Sequence, residues 1–441
     1  MPPERDVRGW FMIYFSYVFR EEQKDGDVLK DISDYLAKDF RDRTKPDGTV
    51  KAKAAELTAG ATTDDQKLRR FYEFCQRIEN FDYLDSVALQ AAKKKLGDDG
   101  LQSPKRTLAR ATGDSSHIND LFASLARAAG YEVADGRGAS RYSTVGVKHR
   151  NGWMFLRDQV ILVKVAGQWR CFAPGDYLVP YGILDYSNIG VPVAICQKDK
   201  VEWLETPVPT AAESVLERTG RLTVDLDGTL EGEVEIAMTG YAAVARKRAA
   251  RGKQQEEIDA DFRKIITDVL PAAEITELTW ENLTGLDLPV KIRYKMKVPG
   301  YADAVGSRLV VPLDCFVHNQ PAEFSADVRK FPIVFWHPYV ERDNIRITVP
   351  EGFKADAPSA PENVTGPGGI GCTYRVGYRP IARQIDYTRE LVVCKDGHIG
   401  FSADSYPALK HRFDQIKLSD AHTLVFAESA PKAPGTPAGS P

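Results

Sequence analysis

The chain has 441 residues, 43% hydrophobic and 27% charged, with a formal net charge of -3. That length suggests two or three domains with ample core, and the composition is that of an ordinary globular protein. The near-neutral balance, with no Lys/Arg cluster interleaved with aromatics, argues against a nucleic-acid partner.

In chain order, the first feature is an apolar run from Trp10 to Phe19. It is too short to span a bilayer as a helix. It lacks the small-residue cleavage site of a signal peptide, so it reads as a buried helix or strand; a protein trimmed at its N-terminus would look the same. Residues 21–43 are charged, with Ile32, Tyr35, Leu36 and Phe40 at helical spacing, and Pro46 and Gly48 break the pattern. A second helical run follows. In a third, Leu68, Phe71, Tyr72, Cys75 and Ile78 share one face, with Asp64 as the expected N-cap.

The clearest helix lies in "ATGDSSHINDLFASLARAAGY", residues 111–131. Ile118, Leu121, Phe122, Leu125, Ala126 and Ala129 form its apolar stripe. Asp114 or Ser115 can cap the start, and Gly130 suits the stop. "QVILVKV" (159–165) and "WRCFAPG" (169–175) flank Gly167-Gln168 and read as a β-hairpin. "PVPT" (207–210) reads as a linker. From residue 219 the chain turns to β, beginning with two alternating strands around Asp227-Gly228. Further strands are expected at 290–298, 344–349, 372–378 and 388–394. A Lys-, Arg-, Glu- and Ala-rich stretch at 242–270 reads as one solvated outer helix inserted among them. The low-complexity tail reads as disordered. Helices, then strands, then a β-rich half give an α+β fold.

Cys75, Cys171, Cys196, Cys315, Cys372 and Cys394 form no CxxC pair, and the histidines form no HExxH. No metal or cofactor is therefore expected.

Three segments carry a family resemblance. Gly113-Asp114-Ser115 runs into "LFASLARAAG". Asp158-Gln159-Val160-Ile161-Leu162-Val163 forms a strand, and Trp169-Arg170-Cys171-Phe172-Ala173-Pro174 the next, continuing as "FAPGDYLVPYGILDYSNIGV" (172–191). Together they resemble the transglutaminase-like superfamily, with its papain-like core, and within it bacterial multidomain proteins in which this domain sits between β-rich domains. The resemblance implies a helical or connecting segment over 1–48 and a transglutaminase-like domain over 49–206. It also implies a β-sandwich accessory region over 213–430, divisible near 335 and carrying the 242–270 insertion, and then a disordered tail over 431–441. The resemblance also implies an N-terminal β domain, for which no segment is expected in this sequence, so the chain is expected to be a fragment of a longer protein.

The same resemblance puts the family's catalytic Cys, His and Asp at Ser115, Gln159 and Ala173. A thiol ionises readily at a helix N-terminus beside an imidazolium, whereas a serine hydroxyl needs a base. Gln159 cannot take that proton usefully and Ala173 cannot orient anything. Triad members act as a unit, so no catalytic residue is expected at these degenerate positions.

Asp114, Ser116, His117, Asp158 and Cys171 are candidates to line the remaining cleft. Two helical residues apart points a side chain about 200° away, so His117 is a poor base for Ser115 and reads as a polar or capping residue. Cys171 shares strand alternation with Ala173, although a core cysteine is the plainer reading. Asp158 and Asp176 read as surface or turn carboxylates. His337 in "FWHPYV" is either a carbohydrate-stacking residue or a sandwich-edge histidine. "GPGGIG" (366–371) has no helix after it and reads as a loop.

The function expected is that of a catalytically inactive transglutaminase-like protein, binding a protein, a peptide or an envelope polymer. The resemblance sets it in the bacterial cell envelope or periplasm, although the chain shows no signal peptide. Two alternatives are a thiol or serine amidohydrolase or acyltransferase with a relocated site, and a purely structural spacer.

Overall fold

The architecture is a computed structural model that describes residues 25–84, 90, 103–143, 156–286, 288–317 and 320–428. The apolar run 10–19 and the tail 431–441 lie outside the described residues. The chain falls into two units. One comprises Met1–Pro209, Thr284–Leu288 and Phe331–His337; the other comprises Thr210–Leu283, Pro289–Lys330 and Pro338–Pro441. The first junction falls within "PVPT".

In the first unit, helix α1 (Asp25–Arg43) leads to α2 (Gly48–Thr58) and α3 (Asp64–Gln76). The N-cap of α3 is Thr63, not Asp64. The Thr63 hydroxyl accepts from Gln66 N, and the Gln66 side chain reaches back to the Thr63 N–H. Asp64 instead accepts from the Tyr131 hydroxyl at 2.7 Å. On α1, Phe40 is buried as expected but Tyr35 is exposed. Ser33 turns inward, donating to the Gln197 and Lys200 carbonyls and tying this helix to the sheet of the same unit.

A two-strand parallel pair, β1 (Glu79–Asn80) and β2 (Thr112–Gly113), brackets α4 (Pro104–Arg110) in sequence. Helix α5 (Ser115–Ala128) follows. Strands β3 (Glu132–Gly138), β4 (Asp158–Val165), β5 (Gln168–Phe172), β6 (Pro192–Gln197) and β7 (Lys200–Glu205) form an antiparallel sheet in the order β5-β4-β3-β6-β7. The β4–β5 hairpin turns at Ala166 and Gly167, both with positive φ. Phe71, Tyr72 and Cys75 of α3, Leu121, Phe122 and Leu125 of α5, and Ile161, Val163 and Phe172 of the sheet share one core. Burying aromatics of this size contributes about 2–3 kcal/mol each.

In the second unit, β8 (Val215–Val224) and β9 (Leu230–Met238) form the expected hairpin. The 242–270 stretch is two helices, α6 (Gly240–Ala250) and α7 (Gln255–Val269), parted at Gly252, whose φ is +70°. Neither is simply solvated: Tyr241 and Val244 of α6 and Ile258 and Phe262 of α7 are buried. Phe262 packs edge-on against Trp280 and Tyr294. Next come β10 (Glu274–Glu281), β11 (Val290–Val298), β12 (Asp303–Val305), β13 (Arg308–Pro312), β14 (Tyr339–Thr348), β15 (Phe353–Ala355), β16 (Gly371–Arg379) and β17 (Gln384–Val393). Helix α8 (Tyr406–Asp420) and β18 (Thr423–Glu428) complete the unit.

The main sheet runs β10-β11-β9-β8-β14-β17-β16, with β8 and β14 parallel, and a smaller sheet runs β12-β13-β18-β15. "GPGGIG" is a short turn opening into β16. A buried ion network crosses the main sheet. Arg218 of β8 donates to Asp343 of β14, and Arg389 of β17 grips Asp420 of α8 through two bonds of 2.7 and 3.0 Å. Helices and mostly antiparallel sheets thus make an α+β protein, with a helix-on-sheet core in one unit and a β-rich region in the other.

Candidate functional site

Ser115 opens α5, and the local sequence explains how it is held. Asp114 caps the helix by accepting from His117 N at 2.8 Å, and the His117 ring returns to the Asp114 backbone, closing a capping box. Nδ1 of His117 lies 2.9 Å from Asp114 Oδ1. Burial pushes the Asp114 carboxyl up, but the His117 ring and N–H more than offset this, and it stays below the usual carboxylate range. His117 is therefore engaged with the cap. Ser116 is exposed.

The β1–β2 pairing sets Asn80 beside Gly113, within reach of the helix start. Asn80 Nδ2 donates to Ser115 Oγ at 3.1 Å and to the Gly175 carbonyl at 2.8 Å. Ser115 N donates to Asp82 Oδ2 at 3.0 Å. Gly175 N donates to the buried Asn119 side chain at 2.8 Å. A Cβ on Gly175 would sit 2.3 Å from the Ser115 carbonyl oxygen, so only glycine lets the segment after β5 lie against the helix start. The rings of Tyr83 and Tyr177, next to Asp82 and close after Gly175, stack with centroids 5.3 Å apart.

Gln159 belongs to a second cluster. It shares strand alternation with Ile161 and Val163, which pack in the core with α5. Its Nε2 donates to Asp135 Oδ1 at 3.0 Å and to Asp120 Oδ1 at 3.4 Å. Arg43 Nε donates to Asp120 Oδ2 at 2.7 Å, and Arg137 Nε to Asp135 Oδ2 at 2.8 Å. Asp135 is wholly buried and Asp120 nearly so. Burial raises the Asp120 carboxyl despite the pull of Arg43, with Asp135 adding to the rise. Burial likewise disfavours the Arg43 charge, but Asp120 and Asp135 outweigh it and raise its pKa. These four charged groups escape sequence reading. Asp120 lies on the side of α5 opposite the apolar stripe, where a carboxylate reads as solvated, so its burial carries no mark in the sequence.

Ala173 lies one residue past β5 and is buried. Its carbonyl accepts from Asp176 N at 3.0 Å, which makes Asp176 part of a turn. Asp158 accepts from Ser140 N, and burial raises its carboxyl. Cys171 pairs with Leu162, whereas the next pair, Ile161 and Phe172, faces α5. Alternation therefore turns Cys171 to the sheet face away from Ser115, and burial pushes its thiol up to about 12. The structure thus brings Ser115 together with Asn80, Asp82 and Gly175, and Gln159 together with Asp120 and Asp135. Among the described residues, no group of three or more His, Cys, Asp or Glu is placed to hold a metal ion.

Residues 51–153 match the family model of the transglutaminase-like superfamily. That stretch is transglutaminase-like. The match takes in Ser115 and its helix and ends before Gln159 and Ala173. No curated protein matches the chain. A solved structure from Parabacteroides distasonis, described as a "putative protease", is similar at 12% identity and a TM-score of 0.48. The likeness covers 90% of this chain and 58% of that one, so the chain spans little more than half the length of that neighbour. Within the matched stretch, the Ser115 hydroxyl accepts from the Asn80 amide.

Proposed function

We propose that the transglutaminase-like unit is a binding module that performs no acyl-transfer chemistry at the family's site. The observation that carries this reading is the Asn80 Nδ2 to Ser115 Oγ hydrogen bond of 3.1 Å. A serine nucleophile needs a group that accepts its proton. Here the neighbouring amide donates to the hydroxyl, and among the described residues no side chain accepts the Ser115 proton. The Gln159 amide is committed to two carboxylates, which leaves no proton shuttle at the position the resemblance gives to histidine. A relocated thiol at Cys171 is disfavoured by its high pKa and its orientation.

The half-buried Tyr83–Tyr177 pair beside the Ser115 turn supplies stacking surface for an extended ligand. The class proposed is a peptide segment, protein or envelope polymer. The setting proposed, the periplasm or cell envelope, rests on the resemblance. Among the described residues, no helix is long and apolar enough to cross a membrane.

The test incubates the purified protein with glutamine-containing peptides, with and without an amine acceptor, and follows ammonia release. The expected result is no release above the blank. Release abolished by Ser115→Ala would overturn the reading, and release abolished by Cys171→Ala would assign a relocated nucleophile. On the binding side, Tyr177→Ala should reduce retention on immobilised peptide or peptidoglycan without changing the folded spectrum.

A further inference from the structure

We propose that the second unit holds a small-molecule site beneath α7, built for a compact carboxylate with an apolar body. Where α7 covers the main sheet, packing leaves a cavity of about 120 Å³ walled by Phe262, Ile266 and Met296 among others. Protein interiors are ordinarily filled to crystal-like density, and an engineered apolar cavity of about 150 Å³ takes up benzene. The space therefore suits a six-membered ring or a short aliphatic chain.

Polar groups in the wall set the ligand's other end. The Tyr294 side chain lines the cavity and is only 3% exposed, and its hydroxyl has no hydrogen-bond partner among the described residues. An unmade hydrogen bond in an apolar interior is costly, so this donor calls for an acceptor. Arg218 and Arg246 both contribute to the wall, and no Asp or Glu does. The charge of Arg218 is taken up by Asp343 and Glu341. Arg246 is held otherwise, with the Asp261 carboxylate acting on it only from beyond ion-pair distance. Its guanidinium stacks over the Phe262 and Trp280 rings, 5.7 and 5.8 Å from their centroids, and among the described residues no carboxylate forms an ion pair with it. Phe262 also packs against Tyr294, with centroids 5.4 Å apart, so the Tyr294 ring and the Arg246 guanidinium meet the same side chain, while Arg218 acts on the Tyr294 hydroxyl. An apolar body filling the cavity, with its carboxylate accepting from Tyr294 and facing Arg246, satisfies both.

The test titrates benzoate into the full chain by calorimetry, with toluene as the neutral counterpart of the same size. Benzoate should bind and raise the melting temperature. Tyr294→Phe, which removes only the hydroxyl, should weaken benzoate about tenfold and leave toluene unchanged. Arg246→Met should remove the preference for benzoate over toluene, and it carries the test should the tyrosine variant misfold. No benzoate binding at millimolar concentration, toluene binding without benzoate binding, or benzoate affinity unchanged in both variants would each overturn the proposal.

Discussion

Asp114 does two things through one carboxylate: it caps α5 and it engages the His117 imidazole two residues on from Ser115. Asp114→Ala should cost about 1 kcal/mol of stability, the usual value of an N-cap. The sign of its pH dependence follows from the lowered pKa. Its contribution is fully present above the unfolded value of about 3.9 and is lost as pH falls through the folded value. Urea unfolding of the wild type and Asp114→Ala should therefore differ at pH 7 and converge near pH 2. At the neighbouring position, Ser115→Cys places a thiol at the helix N-terminus with the Asn80 amide aimed at it. Its alkylation by iodoacetamide should titrate below the free-thiol value of about 8.5, still without turnover of amides. In Gln159→His, the new imidazole would lie between Asp120 and Asp135 and be held protonated. Its stabilisation should be present below the ordinary pKa of about 6.5 and lost as pH rises through the raised folded value, as an NMR titration would register.

Among the elements, α5 and the β4–β5 hairpin were legible because strict periodicity and turn residues announce them. Strand β3 was not. Asp135 and Gly136 interrupt its alternation, yet a Cβ at Gly136 would lie 2.8 Å from the Val160 carbonyl, so glycine there permits the close strand pairing. Helix α8 was passed over as well, although Leu409, Phe413 and Ile416 are buried on one side of it. The charge partners were out of reach for a different reason. A buried arginine announces itself only through the carboxylate it meets across the fold, and Arg389 meets Asp420 at a sequence separation of 31. That pair pins α8 to the main sheet, with the Tyr374 hydroxyl donating to the same carboxylate at 2.8 Å. Removing one partner strands a buried charge, so Arg389→Ala should cost about 3–5 kcal/mol. Denaturant unfolding should record the loss, and limited proteolysis should find α8 newly cleavable. The candidate site was half legible: the Ser115 turn could be read from its motif, but Asn80, Asp120 and Asp135 could not.

At the scale of the whole molecule, the two units are built differently, helix-on-sheet in one and a seven-stranded sheet with helices in the other. The first unit does not end at Pro209, however. It takes back Thr284–Leu288 and Phe331–His337, and with the latter the Trp336 ring that packs against Tyr142 and Tyr186. A fragment 1–209 should therefore be less stable than the same unit in the full chain, with calorimetry showing a lower melting temperature. Supplying a peptide of residues 331–337 should restore part of the difference. The interleaving also limits how such a protein can be rearranged. A gene fusion, an exon-like transfer or a stop codon at the linker would deliver a first unit that lacks its two returning segments.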